Sequence, residues 1–141
     1  MDVLITPEAE RELRALRAFK PGPGLWGVLV GHKRGARIIV EKVLPAGAPG
    51  TVPDEDLLAG LDLVWPARTV GLVAVRPGAA FRKAACGPAW YGKVLLELAG
   101  TPKALRLRPA VVEFERKFFL APIALAPAVK EKAHERVLDR G

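Results

Sequence analysis

The chain has 141 residues, half of them hydrophobic, with 22 Lys and Arg against 15 Asp and Glu, a formal net charge of +7. That length suits one domain spanning residues 1–141 rather than two, and the apolar share argues against disorder. Ser, Asn and Gln are absent, which excludes serine-nucleophile catalysis and bidentate adenine readout by an amide side chain.

Cys86 is the only cysteine, so no internal disulfide is available and a reducing cytoplasm is expected. The missing amides, 13 prolines and 26% charged residues make a thermophile-like composition. The first residues put Asp2 where a secretory leader needs cations, so no leader is expected. The longest apolar run, Phe118 to Val129, is interrupted by Pro122 and Pro127 and is too short to span a bilayer. It reads as strand and loop, and no membrane association is expected. The charge is unevenly placed. Residues 64–109 hold eight basic residues, Arg68, Arg76, Arg82, Lys83, Lys93, Lys103, Arg106 and Arg108, against Glu97 alone. The flanking regions nearly balance.

In chain order, residues 3–5 suit a short strand. Thr6-Pro7-Glu8 then opens a helix, with Thr6 as cap, Pro7 at the first position and Glu8 complementing the N-terminal dipole. Ala9, Leu13, Leu16 and Phe19 recur at helical spacing, and residues 21–24 (PGPG) end the helix. Leu25 to Gly31 reads as a strand covered on both faces. His32 to Gly35 reads as a turn and Ala36 to Leu44 as the returning strand of a hairpin. Pro45 to Pro53 reads as loop, with a short helix from Asp54 toward Leu63. Val70 to Val75 is a further buried strand, stopped by Arg76-Pro77-Gly78. Val94 to Leu98 and Leu105 to Arg108 flank a turn at Gly100-Thr101-Pro102. The alternation over Val112 to Arg116 predicts a strand with one face in water. Val129, Ala133 and Val137 predict a terminal helix over 127–140. These elements imply a mixed sheet with helices packed on it, an α/β fold.

Two of these strands carry a family pattern. Gly24 to Gly31 (GLWGVLVG), with Pro23 before it, resembles the E-x-x-G-x-L-x-G strand of the JAB/MPN (JAMM) metalloprotease family; Gly27, Leu29 and Gly31 match. Val70 to Pro77 (VGLVAVRP) resembles the family's second strand, which ends in H-x-H-P; Val70, Gly71 and Pro77 match. The resemblance is strongest over residues 1–90. It implies a JAB/MPN-like, cytidine-deaminase-like architecture.

It also implies a lost metal site. The family's catalytic glutamate falls at Gly24, its two zinc-binding histidines at Ala74 and Arg76, its serine at Ala84 and its zinc-binding aspartate at Gly87. Alanine and glycine offer no donor atom, and a guanidinium cannot ligate a cation. His32 and His134 are the only histidines, and no cluster has ligand spacing. The expectation is a catalytically inactive, metal-free and cofactor-free pseudoenzyme, without metallo-isopeptidase activity. Metal-free relatives imply a protein-interaction or scaffold role with a protein partner or a second copy.

Three residues are candidate anion binders: Arg76, in place of a zinc ligand, and Arg82 and Lys83 on the segment that carried the serine and aspartate. A binder of nucleic acid or another polyanion through the basic segment 68–108 is the alternative, with Phe81, Trp90 and Tyr91 as the nearby aromatics. Catalysis by Cys86 needs a base, for which only His32 is available; a small buried side chain is the plainer reading. Trp26, Trp65 and Trp90 read as packing anchors. Trp26 stands beside the lost glutamate position, where it can fill the former cleft. His134 reads as solvated on a charged helix.

Overall fold

In a computed structural model the described residues are 1–18, 24–48 and 50–126. The expected terminal helix over 127–140, including His134, lies outside them, as do Phe19 and the first three residues of the helix-ending PGPG.

The chain begins with strand β1 (Asp2–Ile5) and helix α1 (Pro7–Ala18). The Thr6 hydroxyl accepts a hydrogen bond from the Ala9 amide at 3.2 Å, so the cap forms as its residue type dictates. Ala9, Leu13 and Leu16 are buried along one stripe. A hairpin follows, β2 (Trp26–Arg34) and β3 (Arg37–Gly47), turning at Gly35 with φ +60°. Both strands outrun the expectation: β2 continues through His32 to Arg34, and β3 continues through Pro45. A proline in a strand removes a ladder donor, and the register shift between Trp26 and Gly27, opposite Pro45, is the bulge that absorbs it.

Helix α2 (Glu55–Val64) is capped by Asp54, whose carboxylate accepts from the Leu57 amide at 2.8 Å. Then come β4 (Thr69–Val75), the short α3 (Ala79–Ala85), a 3₁₀ turn at Pro88–Trp90, β5 (Val94–Gly100), β6 (Leu105–Glu115), β7 (Lys117–Pro122) and β8 (Ala124–Leu125). Strand β6 fuses the two segments expected on either side of Pro109. The Pro109 carbonyl points away from β5 and accepts from the Ile123 amide at 3.2 Å. Its missing N–H faces the same way, so the β5 ladder loses nothing. The expected solvent alternation along 112–116 also fails in part: Val112 is buried, but Phe114 is 54% exposed.

Among the described residues the sheet has eight strands, in the order β7-β6-β5-β4-β2-β3-β1-β8. Pairs β1/β3, β1/β8 and β4/β5 are parallel and the others antiparallel. This mixed sheet is nearly closed. The chain leaves one edge at Pro122 and, one residue later, enters the other edge as β8, where the Ala126 amide donates to the Val3 carbonyl at 2.7 Å.

The apolar stripe of α1 packs against residues from β1 through β6 and against Ile123. The other face is covered by α2, α3 and the 3₁₀ turn, with Trp26, Leu58, Leu72, Phe81 and Trp90 at its centre. Two arginines of α1 fasten the β5–β6 turn: Arg17 Nε donates to the Gly100 carbonyl at 2.8 Å, and Arg14 Nη1 to the Pro102 carbonyl at 2.6 Å. Among the described residues no helix is long and apolar enough to cross a membrane.

Candidate functional site

The end of β4 is where the sequence places most of its candidate residues. Ala74 pairs with Trp26 in the β2–β4 ladder. One step on, the Gly24 amide donates to the Val75 carbonyl at 2.7 Å, and the Val75 amide donates to the Leu25 carbonyl at 2.8 Å. Gly24 therefore stands across from the Ala74–Arg76 segment. Gly24 has φ +87°, a conformation that suits glycine.

Ala74 is fully buried on the face covered by α3. The space above it is filled. Trp26 and Phe81 pack with ring centroids 5.7 Å apart, and the Trp26 indole N–H donates to the Thr51 hydroxyl at 2.8 Å. Gly47 lies against that indole; a Cβ there would collide with the ring. Ala84 and Gly87 lie half-buried on and just after α3, and a Cβ on Gly87 would stand 3.7 Å from the Ala84 carbonyl. None of these four small residues supplies a side-chain donor for a zinc ion. Among the described residues no group of three His, Cys, Asp or Glu side chains converges.

Arg76 turns outward. Its amide donates to the Leu98 carbonyl at 3.1 Å, and its backbone holds φ +46° although it is not glycine. Its side chain opens onto a pocket of about 560 Å³ that it shares with Pro77, Arg82, Glu97, Arg106 and Arg108. The register explains the company. Glu97 pairs with Arg108 and Ala99 with Arg106, so both β6 arginines lie on the pocket side, as their i, i+2 spacing requires. Arg82 reaches across from α3 and grips Glu97 with two parallel hydrogen bonds, both 2.8 Å. That hydrogen bond raises the arginine's already high pKa. Glu97 is thus consumed, while the side chains of Arg76, Arg106 and Arg108 have no hydrogen-bonding or ionic partner among the described residues.

Of the three candidate anion binders, Arg76 and Arg82 share this pocket. Lys83 is exposed on α3 and does not line it. Arg106 and Arg108 were legible only as members of a basic segment; their i, i+2 spacing in a strand was the available signal.

The fold divides that segment in two. Arg68 and Lys93 lie at the start of β4 and the arginine pocket at its end, about 25 Å apart along the strand. Cys86 is half-buried against the apolar cluster, and burial pushes its thiol pKa up, away from thiolate reactivity. His32 is engaged elsewhere, with Nδ1 2.9 Å from Glu41 Oε1. Trp26 and Trp90 are buried, whereas Trp65 is 44% exposed and anchors little.

No protein-family profile and no curated protein matches this chain. Solved structures do. The solution structure of protein DSY2949 from Desulfitobacterium hafniense is similar with a TM-score of 0.62 at 16% identity, over 88% of this chain and 92% of that one. A solution structure of a protein from Salinibacter ruber is similar with a TM-score of 0.53 at 15% identity, over 90% and 92% of the two chains. At such identities the likeness establishes a shared fold, and it extends over nearly the whole of each chain.

Proposed function

We propose that this chain is a metal-free, JAB/MPN-like binding protein of the cytoplasm that captures an anionic group of a partner in the arginine pocket at the end of β4. One observation carries the reading. Among the described residues, three guanidiniums without an acidic partner, Arg76, Arg106 and Arg108, surround a pocket whose one carboxylate, Glu97, is already held by Arg82. Like charges are drawn together only at a cost, and an anion entering between them relieves it. Guanidiniums also suit carboxylate and phosphate oxygens through paired N–H donors. In this reading Arg76 replaces a metal ligand with a fixed charge, so the site has exchanged metal-assisted hydrolysis for binding. Isopeptidase activity is absent, and the protein acts as an interaction module for an acidic segment of a protein partner. The division of the basic segment into two clusters favours such a discrete anion over a long nucleic-acid strand.

The test is calorimetric titration with a short oligoglutamate peptide at physiological salt. Wild-type protein is expected to bind, and the Arg106→Ala/Arg108→Ala double variant to bind at least about tenfold more weakly, in line with the loss of two charge-assisted contacts. Equal affinity in the two proteins, or binding that vanishes at about 0.15 M salt in both, would sink the reading, because generic attraction between exposed charges is what salt screens.

A further inference from the structure

A second pocket, of about 500 Å³, opens at the opposite end of β4 and includes His32, Lys33, Arg68, Thr69 and Lys93 in its lining. The Lys93 amine is half-buried there. It donates to the Thr69 carbonyl at 2.8 Å and touches no carboxylate among the described residues. Glu41, beside the pocket, is already engaged: its Oε1 takes both His32 Nδ1 and Arg68 Nη2, each at 2.9 Å. Arg68 is held further by its Nε bond to the Gly31 carbonyl at 2.7 Å. Two other features set the pocket apart. The Thr69 hydroxyl is buried with no hydrogen-bond partner among the described residues, and Ala67, in the lining, holds φ +61°. Unsatisfied buried polar groups and non-glycine residues at positive φ both gather at binding sites.

We propose that Lys93 is a reactive amine that forms an imine with small carbonyl compounds carrying a carboxylate, of the 2-oxo acid class. The chemistry needs no cofactor. The neutral amine adds to the carbonyl carbon, making the N–C bond, and the carbonyl oxygen takes a proton. Loss of that oxygen as water leaves C=N, so amine and carbonyl give imine and water with no change of oxidation state. The bond to the Thr69 carbonyl holds the amine in place through one of its hydrogens. Lys33 and Arg68 flank the space where a carboxylate of the ligand would lie. Burial, the main influence, pulls the Lys93 pKa below its ordinary 10.5; Lys33 acts in the same direction and Asp62 of α2 against it. A lysine desolvated beside a second cation is the arrangement that favours the neutral, nucleophilic amine.

The experiment incubates the whole chain with pyruvate and borohydride near pH 7, then locates the reduced adduct by peptide mass mapping. One predominant adduct at Lys93 is expected. It should disappear in Lys93→Arg and remain in Arg106→Ala/Arg108→Ala, which keeps this test separate from that of the arginine pocket. No adduct, or adducts spread evenly over Lys33, Lys42, Lys83 and Lys103, would overturn the proposal. Trace labelling of wild-type lysines with an aryl fluoride supplies a reading free of folding effects. Lys93 should react at least tenfold faster than exposed Lys83 near neutral pH, and equal rates would also overturn it.

Discussion

Arg76 stands at φ +46°, immediately before a proline. A β-carbon makes positive φ costly, and a following proline disfavours helical conformations further. Such a residue costs about 1–3 kcal/mol and persists only where its surroundings impose it. Here the imposition is the bond from its amide to the Leu98 carbonyl, which turns the side chain away from the buried line of β4. Arg76→Gly is expected to stabilise the fold by about 1 kcal/mol, the relieved strain exceeding glycine's added unfolded-state freedom. The same change should weaken oligoglutamate binding. Urea denaturation reads the first effect and calorimetry the second; a variant that is both less stable and binds equally well would show that Arg76 is neither strained nor used. The residue itself was legible in the sequence because an arginine follows an apolar strand and precedes a proline. Its neighbours were less so. Arg106 and Arg108 join it only through a ladder to β5, and no local spacing between residues 76 and 106 reveals that register.

At the scale of elements, local signals were readable where they were strong. Thr6 and Asp54 cap the helices that their positions announce, and the continuous apolar runs of β2 and β4 are buried on both faces. What misled was proline. Pro45 and Pro109 read as strand ends, yet each is accommodated, one at a bulge and one with its ring nitrogen turned away from the neighbouring strand. Helix α3 is seven residues of mostly alanine, too short for a periodic stripe to stand out. Among the described residues, α1 is the helix that supplies the inner core, through Ala9, Leu13 and Leu16. Leu13 is fully buried at its centre, within the apolar cluster that α1 forms with the surrounding strands. Leu13→Ala is expected to cost about 3 kcal/mol, since the closed wall around it cannot collapse onto the cavity. A loss below about 1 kcal/mol by chemical denaturation would mean that the helix is held mainly by its arginine clamps.

For the whole molecule, the near closure of the sheet should govern how it opens. Strands β2, β4 and β5 are flanked on both sides and buried on both faces, so their amides should exchange with solvent slowest. The Ile123 and Ala126 amides, bonded across to β6 and β1, should exchange faster than these but well behind exposed loops. Exchange of those two at loop rates would show that the seam stands open in solution. The fold class was legible from alternating helical and strand periods, but closure was not, because it depends on a two-residue strand and one intervening isoleucine. The placement of α1 within that wall also bears on how the protein is made. Its apolar stripe, complete by residue 18, is covered by partners extending to Leu105, Leu107 and Ile123. Contacts this distant in sequence form late. A growing chain would bring β3 onto that stripe early but leave it incompletely covered until more than a hundred further residues had been synthesised, so its need of chaperones should last until α1 is fully enclosed.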